Sequence, residues 1–109
     1  QMANTFKLKT KKNVGVTTAP LYVVPSSTTT VVIGITASNI SGNNINVGIG
    51  ITRAVADDVH LMKNIPIPQG SSFEFMQGNK IVLETTDTIT AKSDVNNSLD
   101  VALTIMEIT

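Results

Sequence analysis

Apolar and polar positions alternate along most of this chain, most regularly between Thr30 and Arg53 (TVVIGITASNISGNNINVGIGITR). Val31, Ile33, Ile35 and Ala37 fall on one side, and Val32, Gly34, Thr36 and Ser38 on the other. After a turn-rich gap, Ile45, Val47, Ile49 and Ile51 alternate with Asn46, Gly48, Gly50 and Thr52. Successive side chains of a strand point to opposite faces, so each run predicts a strand with one buried apolar face and one small or polar face. Apolar positions are odd-numbered in both runs. If the two strands pair directly, the odd-length loop Ile40-Ser41-Gly42 suits them, because Gly42 accepts a left-handed conformation. The alternation permits equally a connection that crosses from one sheet to another.

The same pattern extends in both directions. Residues 5–12 (TFKLKTKK) predict an exposed strand with Phe6, Leu8 and Thr10 on one side. Lys7, Lys9 and Lys11 take the other, solvent side, where lysine discourages strand addition. Residues 14–24 give one or two short strands. Residues 58–65 return with Val59, Leu61 and the stem of Lys63 together, and Pro66 and Pro68 keep the next segment out of mid-sheet. Residues 73–83 predict a hairpin whose loop, Gln77-Gly78-Asn79, sets Phe75 opposite Ile81 and Phe73 opposite Leu83. Ile89 and Ala91 pair by the same rule with Leu99, Val101, Leu103 and Ile105 across Asn96-Asn97-Ser98. No window carries a sustained helical stripe. About eight strands with turns every ~8–12 residues predict an all-β, single-domain antiparallel β-sandwich over residues 1–109, jelly-roll or Ig-like. Residues 1–12 form its N-terminal edge strand or arm. The expected core is Val31, Ile33, Ile35, Ile45, Val47, Ile49, Ile51, Phe73, Phe75, Leu83, Leu99, Val101, Leu103 and Ile105.

Composition sharpens this. With 41% hydrophobic but 4% aromatic residues, the core must be mainly Val, Ile and Leu, with Phe as filler. Phe75→Ala is accordingly expected to cost about 3–5 kcal/mol. Cysteine is absent, so no redox compartment is indicated. No apolar run reaches the ~18 residues of a membrane span. No h-region lies near the start, so no signal peptide is expected, and Gln1 ahead of Met2 reads as an added residue. Asn39-Ile40-Ser41 and Asn96-Asn97-Ser98 fit the glycosylation acceptor pattern and are read as turn residues.

The formal charge is zero, yet Lys7, Lys9, Lys11, Lys12 and Arg53 precede every acidic residue. Either a basic and an acidic edge meet between subunits, or strands from both halves interleave and mix their charges, the alternative we favour. Arg53 is expected to pair locally with Asp57 and Asp58. Candidate chemistry is sparse. Asp58 and His60, two apart on a strand, could share a metal but have no evident third ligand. No cysteine nucleophile and no strained Gly-x-Ser-x-Gly turn is present. Gly34, Gly48 and Gly50 alternate with apolar residues and do not precede a helix, so they make room for a neighbouring backbone or subunit and are not a phosphate cradle. No catalytic, cofactor-binding or metal residue is expected, and no enzyme activity. Without an aromatic platform the lysines do not suggest nucleic acid.

A set of segments resembles a known group: LYVVPSSTTTVVIGITASNISG (21–42), ITR (51–53), IPIPQGSS (65–72), GNKIVLETTDTITAKSD (78–94) and LDVALTIMEI (99–108). They are similar to small virion structural proteins of tailed phages, including marine and cyanobacterial phages, although Ser26-Ser27 stand where that group commonly shows Ala-Gly. The resemblance implies a β-sandwich that decorates or stabilises the capsid or a head–tail part, located in the virion and assembled in the host cytoplasm. Its alternative is a receptor- or glycan-binding module of a tail or fibre, which would need exposed aromatics from among Phe6, Tyr22, Phe73 and Phe75. The expected partners are further copies of the chain, a trimer being favoured, and other virion proteins. The small outward faces, the split charge and an N-terminal strand lying on a neighbour would all suit such a homo-oligomer.

Overall fold

Runs of Val, Ile and Thr favour extended backbone, and they become nine strands in the computed structural model, which describes residues 3–54, 56–75 and 80–109. In chain order these are β1 (Asn4–Val14), β2 (Ala19–Val23), β3 (Thr29–Asn39), β4 (Ile45–Thr52), β5 (Val59–Ile67), β6 (Ser72–Phe75), β7 (Ile81–Leu83), β8 (Thr88–Ser93) and β9 (Leu99–Ile108). The first sheet runs β1-β9-β3, with β6 and β7 both on the far edge of β3. The second runs β2-β8-β4-β5. Every pairing is antiparallel, and the two apolar faces enclose one core, as expected of an antiparallel sandwich.

Consecutive strands mostly change sheet, which decides the alternative that alternation left open for β3 and β4, and two expected local pairings are corrected. β3 and β4 lie in different sheets, so the crossing alternative holds. β8 and β9 are likewise split between sheets, so Ile89 and Ala91 face Leu99 to Ile105 across the core instead of beside them. β6 and β7 do not pair with each other. Phe75 lies opposite Ile35, and Leu83 opposite Thr30, so the two short strands sit end to end along β3. The expected loop Gln77-Gly78-Asn79 lies outside the described residues. For β3–β4 and β8–β9 the physical reason is that alternation says which face of a strand is apolar, and two inward faces share that pattern whether they are side by side or opposed. β6 and β7 differ in that each takes its own stretch of the β3 edge.

Within the expected core, Ile35, Ile45, Val47, Ile49, Ile51, Leu83, Leu99, Val101, Leu103 and Ile105 are buried. Val31 and Ile33 are not: they are half-buried on the outer face. The register of β3 against β9 slips between Val32 and Gly34, a bulge that changes the parity of the strand. Thr30 and Val32 therefore point inward before it, and Ile35 and Ala37 after it. β5 behaves similarly. Two slips against β4, with Asn64 at φ 55°, bury Met62 and Ile67 and leave Val59 exposed. Pro66 is tolerated because β5 is an edge strand. Phe73 and Phe75 are half-buried against the core margin, so the expected cost of Phe75→Ala falls to about 1–2 kcal/mol. A thermal melt should show it less damaging than Leu103→Ala.

Candidate functional site

The first sheet has an inverted edge strand. The expectation that the β1 lysines face solvent is corrected. Lys7 lies opposite Ile105 and Lys9 opposite Leu103, both buried positions, so the lysine side is the inner one. There β1 runs alongside β2, and the aliphatic stems cover the open flank of the sandwich while the ammonium groups find partners. Lys7 Nζ lies 2.8 Å from Glu107 Oε1. Lys9 Nζ lies 5.8 Å from the centre of the Tyr22 ring, within cation–π range. The Tyr22 hydroxyl donates to Glu107 and accepts from Thr30 Oγ1 at 2.9 Å. Tyr22, Thr30 and Glu107 are all buried.

This cluster sets two protonation states. The Lys7 ammonium, then the Tyr22 hydroxyl, holds the Glu107 carboxyl below its ordinary value. Burial, then the Glu107 hydrogen bond, pushes the Tyr22 phenol up to about 12. Sequence reasoning missed the cluster, although its signal was present: Glu107 continues the odd-numbered, inward series of Leu103 and Ile105.

With lysines turned inward, Phe6 and Leu8 point outward, 69% and 65% exposed. Phe6 lies opposite Met106, Met106 opposite Val31, and Val31 opposite Val82, itself 60% exposed. One apolar row thus crosses four strands. The next row is Leu8, Thr104 and Gly34, and the one after it Thr10, Ala102, Thr36 and Glu74. A Cβ built on Gly34 would meet nothing within 4 Å, so the middle of this face is open and low. Charged residues are confined to its margins.

Part of the split charge is paired within the chain. Besides Lys7–Glu107, Arg53 Nε lies 3.0 Å from Asp87 Oδ1 and a terminal guanidinium nitrogen 2.5 Å from Glu84 Oε1. The expected pairing of the Arg53 side chain with Asp57 and Asp58 is corrected: the β8-side acids take the guanidinium, and only the Arg53 amide reaches Asp58 Oδ1, at 2.8 Å. Asp87 also accepts the Glu84 amide at 2.9 Å, which makes it the more constrained partner. Because Asp87 is buried and Glu84 exposed, a double-mutant cycle on stability should give a larger coupling for Arg53–Asp87 than for Arg53–Glu84.

The outer face of the second sheet holds a groove of about 460 Å³. Gly48 and Gly50 form its floor, with His60, Lys63 and Lys92 on its walls. A Cβ on Gly50 would approach the Val59 carbonyl to 3.2 Å, so this glycine does make room for a neighbouring backbone. Asp94 receives the Asn46 amide at 2.9 Å and side-chain nitrogen at 3.1 Å, in that order the causes of its lowered pKa. Asp58 is engaged by Arg53, and Asp58 and His60 are not brought to a third ligand. Among the described residues no group of three His, Cys, Asp or Glu side chains is placed to hold a metal. Asn39 is buried, and its side chain bonds Asn43, Ile67 and Ser41, a turn role as expected.

No family model matches this sequence, and no curated protein matches it. Among solved structures, a chain described as belonging to Bacillus endospore appendages, a family of disulfide-linked pili, is similar with a TM-score of 0.58. The two chains are 14% identical, and the match covers 98% of this chain and 86% of that one. At that identity the likeness concerns the fold.

Proposed function

We propose that this chain is a non-enzymatic structural subunit of a tailed-phage virion, decorating or stabilising the capsid or a head–tail part. The observation that carries the proposal is the outward apolar row Phe6, Met106, Val31 and Val82, exposed at its two ends and half-buried between them. Contiguous apolar surface on a small domain marks an association surface more often than a catalytic one. The chain alternates between sheets in the orders 1-9-3-6/7 and 2-8-4-5, which supports a jelly-roll winding, common among capsid domains. The fold likeness to a pilus chain is compatible with a role in assembly. With no cysteine, this chain would assemble without disulfide links of its own.

Receptor or glycan binding is the less favoured alternative. Tyr22 is buried and Phe73 and Phe75 lean on the core, which leaves Phe6 as the exposed aromatic. The test is quantitative mass spectrometry of purified particles of the phage that encodes the chain. Many copies per particle are expected, and absence from washed particles overturns the proposal.

A further inference from the structure

The outer face of the first sheet has features that a second copy of the same chain would satisfy. Its apolar row runs from Phe6 on one edge strand to Val82 on the other. Its margin carries Lys12 on the β1 side and Glu74 on the β6 side, near the same end of the sheet, with Lys80 and Asp100 also at the rim. A half-turn about an axis parallel to the strands lays β1 over β6 and β7, and β9 over β3, while keeping the rows in order. That operation brings apolar onto apolar and places Lys12 diagonally across from the opposing Glu74. A half-turn about the perpendicular in-plane axis would instead set the polar Thr10 row on the apolar Phe6 row.

We infer that two copies pack these faces together about a two-fold axis parallel to the strands, with Phe6 meeting the partner subunit's Val82. The inference deepens the reading of the chain as an assembling subunit and rests on it. Three structural points agree. Gly34, near the centre, leaves no side chain to hold the sheets apart, and packed sheets need to approach to about 10 Å. The edge of β1 is guarded by inward lysines, a device that blocks strand addition, so contact through the face is favoured over contact through the edge. Two of the cations that could have driven a head-to-tail ring, Lys7 and Arg53, are paired inside the chain, and a self-complementary face calls for a two-fold.

The area of the face sets the strength. Four strands at about 4.8 Å spacing, over three rows, give roughly 300–400 Å² per copy. That is below the ~800 Å² per partner of a standard stable interface, so the pair is weak alone and gains from repetition in an array.

The absence of native cysteine allows a clean test. Phe6→Cys and Val82→Cys are prepared as separate full-length proteins, both at exposed positions that leave the core untouched. Mixed at roughly millimolar concentration with a short bis-maleimide, which spans the gap between facing sheets that a disulfide would not, they should form a cross-linked dimer at least about tenfold faster than either alone. Self-linking of Phe6→Cys as fast as the mixture would overturn the axis. A trimeric mass for the unmodified chain would overturn the two-fold. A monomer at that concentration with no cross-link would overturn the contact itself. None of these outcomes bears on whether purified particles contain the chain, so failure here and failure of the virion role are separately readable.

Discussion

Replacing Ile49 with Ala is expected to lower the unfolding free energy by about 2–5 kcal/mol. Ile49 lies on β4, opposite Ala91 of β8 on one side and Met62 of β5 on the other, and is 0% exposed. β4 is a central strand, so the strands that flank it cannot move in to fill the space without breaking their ladders. The flanking Gly48 and Gly50 add no side chain that could compensate. For a domain near this size, each kcal/mol corresponds to roughly 4–8 °C in Tm, so the variant should melt at least about 8 °C lower. A urea titration that moved the free energy by less than about 1 kcal/mol would mean that Ile49 does not sit between the sheets.

The second large effect is expected at Glu107. Glu107→Ala removes the acceptor of the Tyr22 hydroxyl and the partner of Lys7 and should cost about 2 kcal/mol, in the range for a hydrogen bond to a charged group. The pH dependence gives it a signature. A carboxyl whose folded pKa is depressed stabilises the fold above its unfolded value, about 4.3, and that contribution is lost as pH falls through the folded pKa. Tyr22 works in the opposite direction. Its raised pKa stabilises the fold fully below about 10, and the contribution is lost as pH rises through about 12. Glu107→Gln should therefore flatten the acid side of the stability profile, and Tyr22→Phe the alkaline side. Acid and alkaline limbs that stay as steep as in the parent would remove this cluster from its assigned role.

Much of the sandwich was legible because β4 and β9 keep strict alternation, and the odd-numbered residues of both are buried. What escaped has three physical sources. A bulge adds one residue without changing composition, so Val31 and Ile33 read as core while Val32 takes the place. Pairing partners are decided by how the chain winds between sheets, which explains why β8 and β9 looked like a hairpin. On β1, both faces are plausible to the eye, since Phe6 and Leu8 fit a core and lysines fit solvent. The outcome depended on Glu107 and Tyr22, distant in sequence, which draw Lys7 and Lys9 inward. That inversion created the apolar outer face, and so the candidate site could not be read from the segment alone.

The most direct measurement of that face is sedimentation velocity over a concentration series, comparing the parent with Phe6→Lys/Leu8→Lys. The parent's weight-average mass should rise above the 11.6 kDa of the monomer toward roughly millimolar concentration, while the variant stays monomeric with an unchanged Tm. The same mass for both proteins at every concentration would contradict an association surface there.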